Sequence, residues 1–290
     1  MPESSQTSDS LLHGRLILRQ PAHGCRVNLD AVLLAAFAAT ARPARAAGTP
    51  LAFAPQHHEE GVNGHGTPFP DAADLGAGTG AVGLLLRRAL LVDRCLLVEA
   101  EPALAALAEA NIQANGMQAE VAVWAGDLRH ALPHDALGRC DLVVANPPYV
   151  ALAAGRASPD ALRAAARHEL RGGLSEFAAA AGRLLRPTGT FALIYPWRRR
   201  AFARETLRAA GFAIARERRH VPRDGATPTT FCLEARSPDG APGAEPALEQ
   251  LVVHEPGRRF SELVERFLDG DYRSAPRIAA SSTAPGRTMR

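Results

Sequence analysis

The order of apolar stretches predicts an α/β domain with a mostly parallel sheet and helices on both faces. Three observations carry this. From Asp71 onward, short apolar runs near 71–75, 95–99, 119–124, 140–145 and 189–195 read as strands, with amphipathic helices near 80–91, 102–115 and 174–186 between them. Strand–helix alternation of this kind builds parallel sheets covered on both sides. A glycine-rich segment follows the first of these strands and opens the first helix, the place where open sheets hold ligands. Two further apolar stretches, 212–216 and 229–235, are joined without a helix, so they are expected to pair antiparallel at one sheet edge.

Each remaining element follows in order. Arg15-Leu16-Ile17-Leu18-Arg19 alternates like a strand, and Pro21 to Gly24 form a turn. Asn28 caps an apolar helix running to about Ala41, with Asp30 in its first turn, where a carboxylate suits the helix dipole. Residues 1–41 are thus expected to supply a strand pair and a helix. Residues 42–70 show neither helical nor strand period and read as a loop or disordered insertion. Its His57, His58 and His65 match no standard metal spacing. The core is expected over 71–236, a linker over 237–246, and a strand and helix appendage over 247–270, with a strand from Leu251 to His254 and a helix near 260–268. The tail, 271–290, reads as disordered.

Composition excludes several classes. A chain of 290 residues with 47% hydrophobic and 22% charged residues can bury a core without staples. No apolar run reaches the ~20 residues that span a bilayer. Met1 to Ser10 is polar and reads as neither secretory signal nor transit peptide. Cys25, Cys95, Cys140 and Cys232 lie far apart, so neither zinc site nor disulfide framework is expected, and the thiols suit a reduced cytoplasmic protein. All 33 basic residues are arginine, and the net charge of +3 is too small to argue for nucleic acid by itself.

The glycine segment is Asp74-Leu75-Gly76-Ala77-Gly78-Thr79-Gly80. Glycine permits positive φ and close approach of backbone to a ligand. A nicotinamide site presents Gly-x-Gly-x-x-Gly so that pyrophosphate meets a helix N-terminus. Here the spacing is Gly-x-Gly-x-Gly with an acid just ahead. Asp74 would repel an anion and attract the sulfonium and amino groups of S-adenosylmethionine. Glu99 ends the second strand, where a carboxylate can accept both ribose hydroxyls. Asp127, with Leu128, follows the third strand and is placed to accept from the adenine amino group. Three acids in order at consecutive strand ends point to S-adenosylmethionine as cofactor.

The fourth strand runs directly into Asn146-Pro147-Pro148-Tyr149. Two prolines fix the backbone and remove two amide donors, leaving carbonyls as acceptors. An amino group on a conjugated ring is a poor nucleophile because its lone pair is delocalised. The Asn146 side-chain oxygen and the Pro147 carbonyl could accept its two N–H bonds and turn the lone pair toward a methyl group. Tyr149 could stack on the flat target. No base is required, since the proton can leave after methyl transfer.

Together these residues resemble the class I methyltransferases that carry an Asn-Pro-Pro-Tyr loop, a likeness covering roughly residues 71–236. That resemblance implies a seven-stranded sheet with one antiparallel strand. The flanks Gln20-Pro21-x-x-Gly24-x-Arg26-x-Asn28-x-Asp30, Arg167-His168-Glu169 and Leu251-Val252-Val253-His254-Glu255 to Phe267 resemble the bacterial tRNA(Val) adenine-N6 methyltransferase family. The resemblance implies that the target is the adenosine just 3′ of the anticodon, that the partner is a tRNA anticodon stem-loop, and that Gln20, Arg26 and Asp30 line the methionine end of the cofactor pocket. The long 42–70 insertion and the missing lysines depart from the family's pattern.

Arginines cluster in three places: Arg198-Arg199-Arg200 after Trp197; Arg216, Arg218 and Arg219 with His220; and Arg163, Arg167 and Arg171 at four-residue spacing. With Pro148, Tyr149 and Trp197 available for stacking, such a basic rim suits a splayed RNA loop. Alternatives are glutamine-N5 methylation of a translation release factor, guanine-N2 methylation of ribosomal RNA, and a non-catalytic cofactor- or RNA-binding module. Residues 1–40 suggest a strand pair and one helix rather than the helical N-terminal domain that the release-factor reading implies. A monomer without metal is expected.

Overall fold

The computed structural model describes residues 6–22, 27–40, 71–89, 91–130, 132–147, 173–237 and 245–271. Two strands, β1 (Gln6–Leu11) and β2 (Leu16–Pro21), form an antiparallel hairpin in which Leu11 faces Leu16. Leu16 and Leu18 are fully buried while their neighbours are not, the period-two pattern of a strand lying on a core. Helix α1 (Leu29–Ala39) begins as expected at Asn28, whose side chain accepts the Asp30 amide. Ala31 through Ala38 are all buried. A helix apolar on every side must be enclosed, and α1 packs among α2 (Ala81–Arg88), α6 (Glu262–Leu268) and the sheet.

The main sheet contains eight strands: β3 (Ala72–Leu75), β4 (Cys95–Glu99), β5 (Val121–Ala125), β6 (Cys140–Ala145), β7 (Leu185–Pro196), β8 (Ala213–Val221), β9 (Thr230–Arg236) and β10 (Leu248–Val252). Their order is β10-β8-β9-β7-β6-β3-β4-β5, and only β9 runs antiparallel to its neighbours. Every residue of β3 and of β4 is buried, as a sheet covered on both faces requires. Alternation along β7 shows the two faces directly. Ala192 and Ile194 join the layer under α1 and α2, whereas Phe191, Leu193 and Tyr195 join the layer under α4 (Leu174–Leu184) and α5 (Arg200–Ala209). The remaining helix, α3 (Pro102–Ala114), packs on β4, β5 and the hairpin strand β2.

The structure corrects the sequence reading in three places. The sheet has eight strands rather than seven, because the 248–252 segment pairs in parallel with β8 and extends the edge. Helix α5 is absent from the sequence expectation, in which Arg200 belongs to the basic rim after β7. Ala203 and Leu207 are fully buried beside the sheet, and Arg200, Arg204 and Arg208 follow one another along one face. Strand β8 runs on to Val221 through Arg216-Glu217-Arg218-Arg219-His220, a stretch expected on that same rim.

Most of those charges are paired inside the protein. Glu217, with no exposure, pairs with Arg200 and with Arg204 at 2.6 Å on the α5 side. On the opposite side Arg216 pairs with Glu234 at 3.0 Å, donates to the Phe37 carbonyl at 2.6 Å and stacks over the Phe37 ring. Helix α1 has no basic residue in its own last turn, so Arg216 supplies the cation that its carboxyl end favours. Arg218 is buried against Glu249 at 2.7 Å, and Arg219 bonds Gln250. His220, buried beside Thr230, is held neutral, its pKa pushed down to about 3 by burial and by Arg218. Arg163, Arg167 and Arg171 lie outside the described residues.

Candidate active site at the carboxyl edge of the sheet

Strand order reverses between β6 and β3, and ligands of open α/β sheets bind beyond the carboxyl ends at such a point. Asn146, the glycine loop, Glu99 and Asp127 stand at the carboxyl ends of β6, β3, β4 and β5, which are successive neighbours. The fold therefore brings these candidate residues to one edge.

In the glycine loop Gly78 has φ +59, and a Cβ there would meet nothing within 4 Å, so its backbone lies open to a ligand. Its amide donates to Glu99 at 2.8 Å. Gly80 answers a different demand, since a Cβ there would come within 2.8 Å of Leu97. The other Glu99 oxygen accepts the Glu101 amide at 2.8 Å, so this carboxylate joins β4 to the loop and keeps lone pairs for further donors. Gly76 completes the turn with Phe177 packed against it.

Asp74 sits differently from the sequence expectation. It is 1% exposed, and its carboxylate accepts the Gly83 amide inside α2 at 2.9 Å. Burial, and secondarily the charge of Glu99, push its pKa up to about 7 against the lowering pull of the Gly83 bond. In this geometry it anchors α2 and the loop from beneath. Asp127 is gripped by Arg129: the Arg129 Nε lies 3.0 Å from both carboxylate oxygens, Nη2 lies 2.6 Å from one, and the Arg129 amide donates to the other. That hydrogen bonding holds Asp127 below the usual carboxylate range. Leu128 is buried, and its carbonyl accepts from Arg183. Asn146 is half-buried and Pro147 buried at the end of β6, while Pro148, Tyr149 and Arg167 lie outside the described residues.

Gln20 is 3% exposed and ties Asp9 of β1 to the Val27 amide, holding the hairpin to the start of α1. Asp30 accepts from Asn28 at the same helix start, and Arg26 lies outside the described residues. Trp197 packs edge-on against Phe231, Arg199 stacks over Phe202, and Arg198 is exposed, all just beyond the carboxyl end of β7.

Sequence reasoning missed Asn111. Wholly buried in α3, it donates to the Thr79 carbonyl of the glycine loop and to the Arg19 carbonyl of β2, and accepts the Arg19 amide at 2.6 Å. Asn115, one turn on, grips Ile17 in the same way. A signal does exist in the sequence: Asn111 and Asn115 stand four apart in an alanine-rich helix, and a buried amide must be hydrogen-bonded. Arg129 is missed because its partner is assigned to the ligand.

The donor set suits S-adenosylmethionine. The 76–80 loop carries no cation and lies beside Asp74 and Glu99, which disfavours a pyrophosphate, while Gly78 leaves open backbone and Glu99 retains acceptor capacity. Fold and site define a class I S-adenosylmethionine-dependent methyltransferase, and residues 66–207 match the methyltransferase small domain family. An Agrobacterium tumefaciens protein described as a predicted O-methyltransferase shares the fold, with TM-score 0.54 and 20% identity over 69% of this chain and 88% of its own. A Porphyromonas gingivalis protein named tRNA1(Val) (adenine(37)-N6)-methyltransferase is 30% identical over 89% of this chain and 93% of its own. A Bordetella pertussis release factor glutamine methyltransferase is 35% identical, over 54% of this chain and 58% of its own. The chain belongs to the tRNA1(Val) (adenine(37)-N6)-methyltransferase family.

Proposed function

We propose that this enzyme methylates the N6 amino group of a tRNA adenosine next to the anticodon, acting as a cytoplasmic monomer on the anticodon stem-loop. The observation that carries the reading is Asn146-Pro147 at the end of β6, beside the glycine loop and its acids. Likeness to the P. gingivalis relative over nearly its whole length supports the tRNA substrate. The release-factor relative is matched over little more than half of its length, which favours the tRNA reading.

When bound, S-adenosylmethionine supplies an electrophilic methyl group on its sulfonium. Glu99 would accept from the ribose hydroxyls. Asp127 would accept from the adenine amino group once the exposed Arg129 side chain turns aside. Gln20, Arg26 and Asp30 would close the methionine end, and Asp74 and Asn111 would hold the loop in shape. Asn146 and the Pro147 carbonyl would accept the two N–H bonds of the target amino group, fixing the direction of its lone pair. Pro148 and Tyr149 would cover the flat base, which must leave its stack to enter. The extra proton on the nitrogen would pass to water after transfer.

The test is methyl transfer from labelled cofactor to total tRNA lacking modifications, followed by nucleoside analysis. The expected product is N6-methyladenosine beside the anticodon of tRNA(Val). Label in release factor or ribosomal RNA, with none in tRNA, would retain the catalytic loop and discard the substrate.

A further inference from the structure

The wing of the sheet beyond β7 ends in a row of arginines distinct from those buried in β8. Backbone hydrogen bonds set the carboxyl-end segments side by side: Trp197 donates to Thr229, Thr229 to His220, and His254 to Pro222. The row therefore runs from Trp197–Arg199 past the β8–β9 turn to the loop after β10. Segments 197–199, 222–229 and 254–260 hold five arginines (Arg198, Arg199, Arg223, Arg258, Arg259) against two acids (Asp224, Glu255), whereas the whole chain is nearly balanced at 33 to 30.

Apart from Arg199, which stacks over Phe202, these side chains are also uncommitted to buried carboxylates, unlike their neighbours. Arg198, Arg223, Arg258 and Arg259 are exposed. Among the described residues Arg198 and Arg223 have no side-chain partner, Arg258 reaches Glu255 only at 4.0 Å, and Arg259 lies over the Phe260 ring. By contrast Arg200, Arg204, Arg216 and Arg218 all pair with buried or partly buried carboxylates. From Asn146 on β6 to β10 is four strand spacings, roughly 19 Å, enough for several nucleotides of one strand. With the candidate cofactor residues on the other side of Asn146, this row is the direction along the sheet edge left for a polymer leaving the target position.

We propose that Arg223, Arg258 and Arg259 form a phosphate-binding ridge that carries the RNA strand flanking the target nucleotide, away from the cofactor. This rests on the RNA reading above. Arginine's planar fork suits phosphate oxygens, and contacts to backbone position the strand without reading its sequence.

The test compares the full chain with the triple variant Arg223→Ser, Arg258→Ser, Arg259→Ser, titrating a labelled unmodified anticodon stem-loop RNA at several salt concentrations. The expected result is about tenfold weaker binding near physiological salt. The slope of log affinity against log salt should flatten by about 0.7 for each phosphate that the variant leaves unneutralised. The melting temperature should be unchanged, and the corresponding triple lysine variant should restore the slope. Unchanged affinity and slope, with methyl transfer to RNA intact, would overturn the ridge and leave the enzymatic reading standing. A wild-type chain that binds no RNA and labels a protein would overturn both.

Discussion

The two wings of the sheet, divided between β6 and β3, use charge in opposite ways. In the β3-β4-β5 wing the carboxylates Glu99 and Asp127 stand at strand ends, bonded mostly to loop backbone or to one exposed arginine. In the β7-β9-β8-β10 wing, charge lies within the strands: Glu217, Arg218 and Glu234 are at most 3% exposed, and each has a protein partner. A charge at a strand end can serve a ligand, because solvent or ligand can satisfy it. A charge within a covered strand must be paired internally, since an unpaired buried ion costs several kcal/mol. Asp74 is the exception in the first wing. It is buried near the end of β3 with one backbone donor, and responds by holding its proton more tightly.

Substitutions in each wing test this division. The largest effect is expected where the wings meet, at the end of β6: Asn146→Ala should lower methyl transfer by about 10²–10³-fold while calorimetry still detects cofactor binding. Equal turnover would remove the strand-end residue from the chemistry. Within the β7-β9-β8-β10 wing Glu217→Ala should leave activity per folded molecule unchanged but cost about 2 kcal/mol in denaturant unfolding, because it leaves the buried Arg204 only the exposed Glu245 as partner and removes the pair with Arg200. A change below about 0.5 kcal/mol, the range of ordinary surface substitutions, would show that the charge is not interior in effect.

Two smaller effects have opposite signs in pH. The folded pKa of His220, about 3, lies below its ordinary value of 6.5, so the unfolded chain binds more protons between those values and stability falls as pH drops through that window. For Asp74 the folded value of about 7 lies above the ordinary 3.8, so stability falls as pH rises from 3.8 toward 7. The two slopes oppose one another where the windows overlap. Melting temperatures measured from pH 4 to pH 7 should therefore separate them. His220→Asn should leave a stability that declines with rising pH, and Asp74→Asn one that increases. Parallel profiles for the two variants would contradict both assignments.

The sequence by itself determined the strand–helix alternation, the glycine loop, the order of the acids and the Asn146-Pro147 turn. These features are local: periodicity, backbone freedom and the residue following a strand are written in adjacent positions. It also determined the start of α1, because the Asn28 cap acts on its own helix. Only the tertiary structure decided which charges face a ligand and which face each other. Arg216 meets Phe37 and Thr40 across nearly 180 positions, and Asn111 meets Arg19 across 92, so no local pattern records either contact. The same holds for α5 and for β10, whose placement depends on partners supplied by β8. An arginine's charge is evident in the sequence, but its desolvation and its partner exist only once the chain has closed around it.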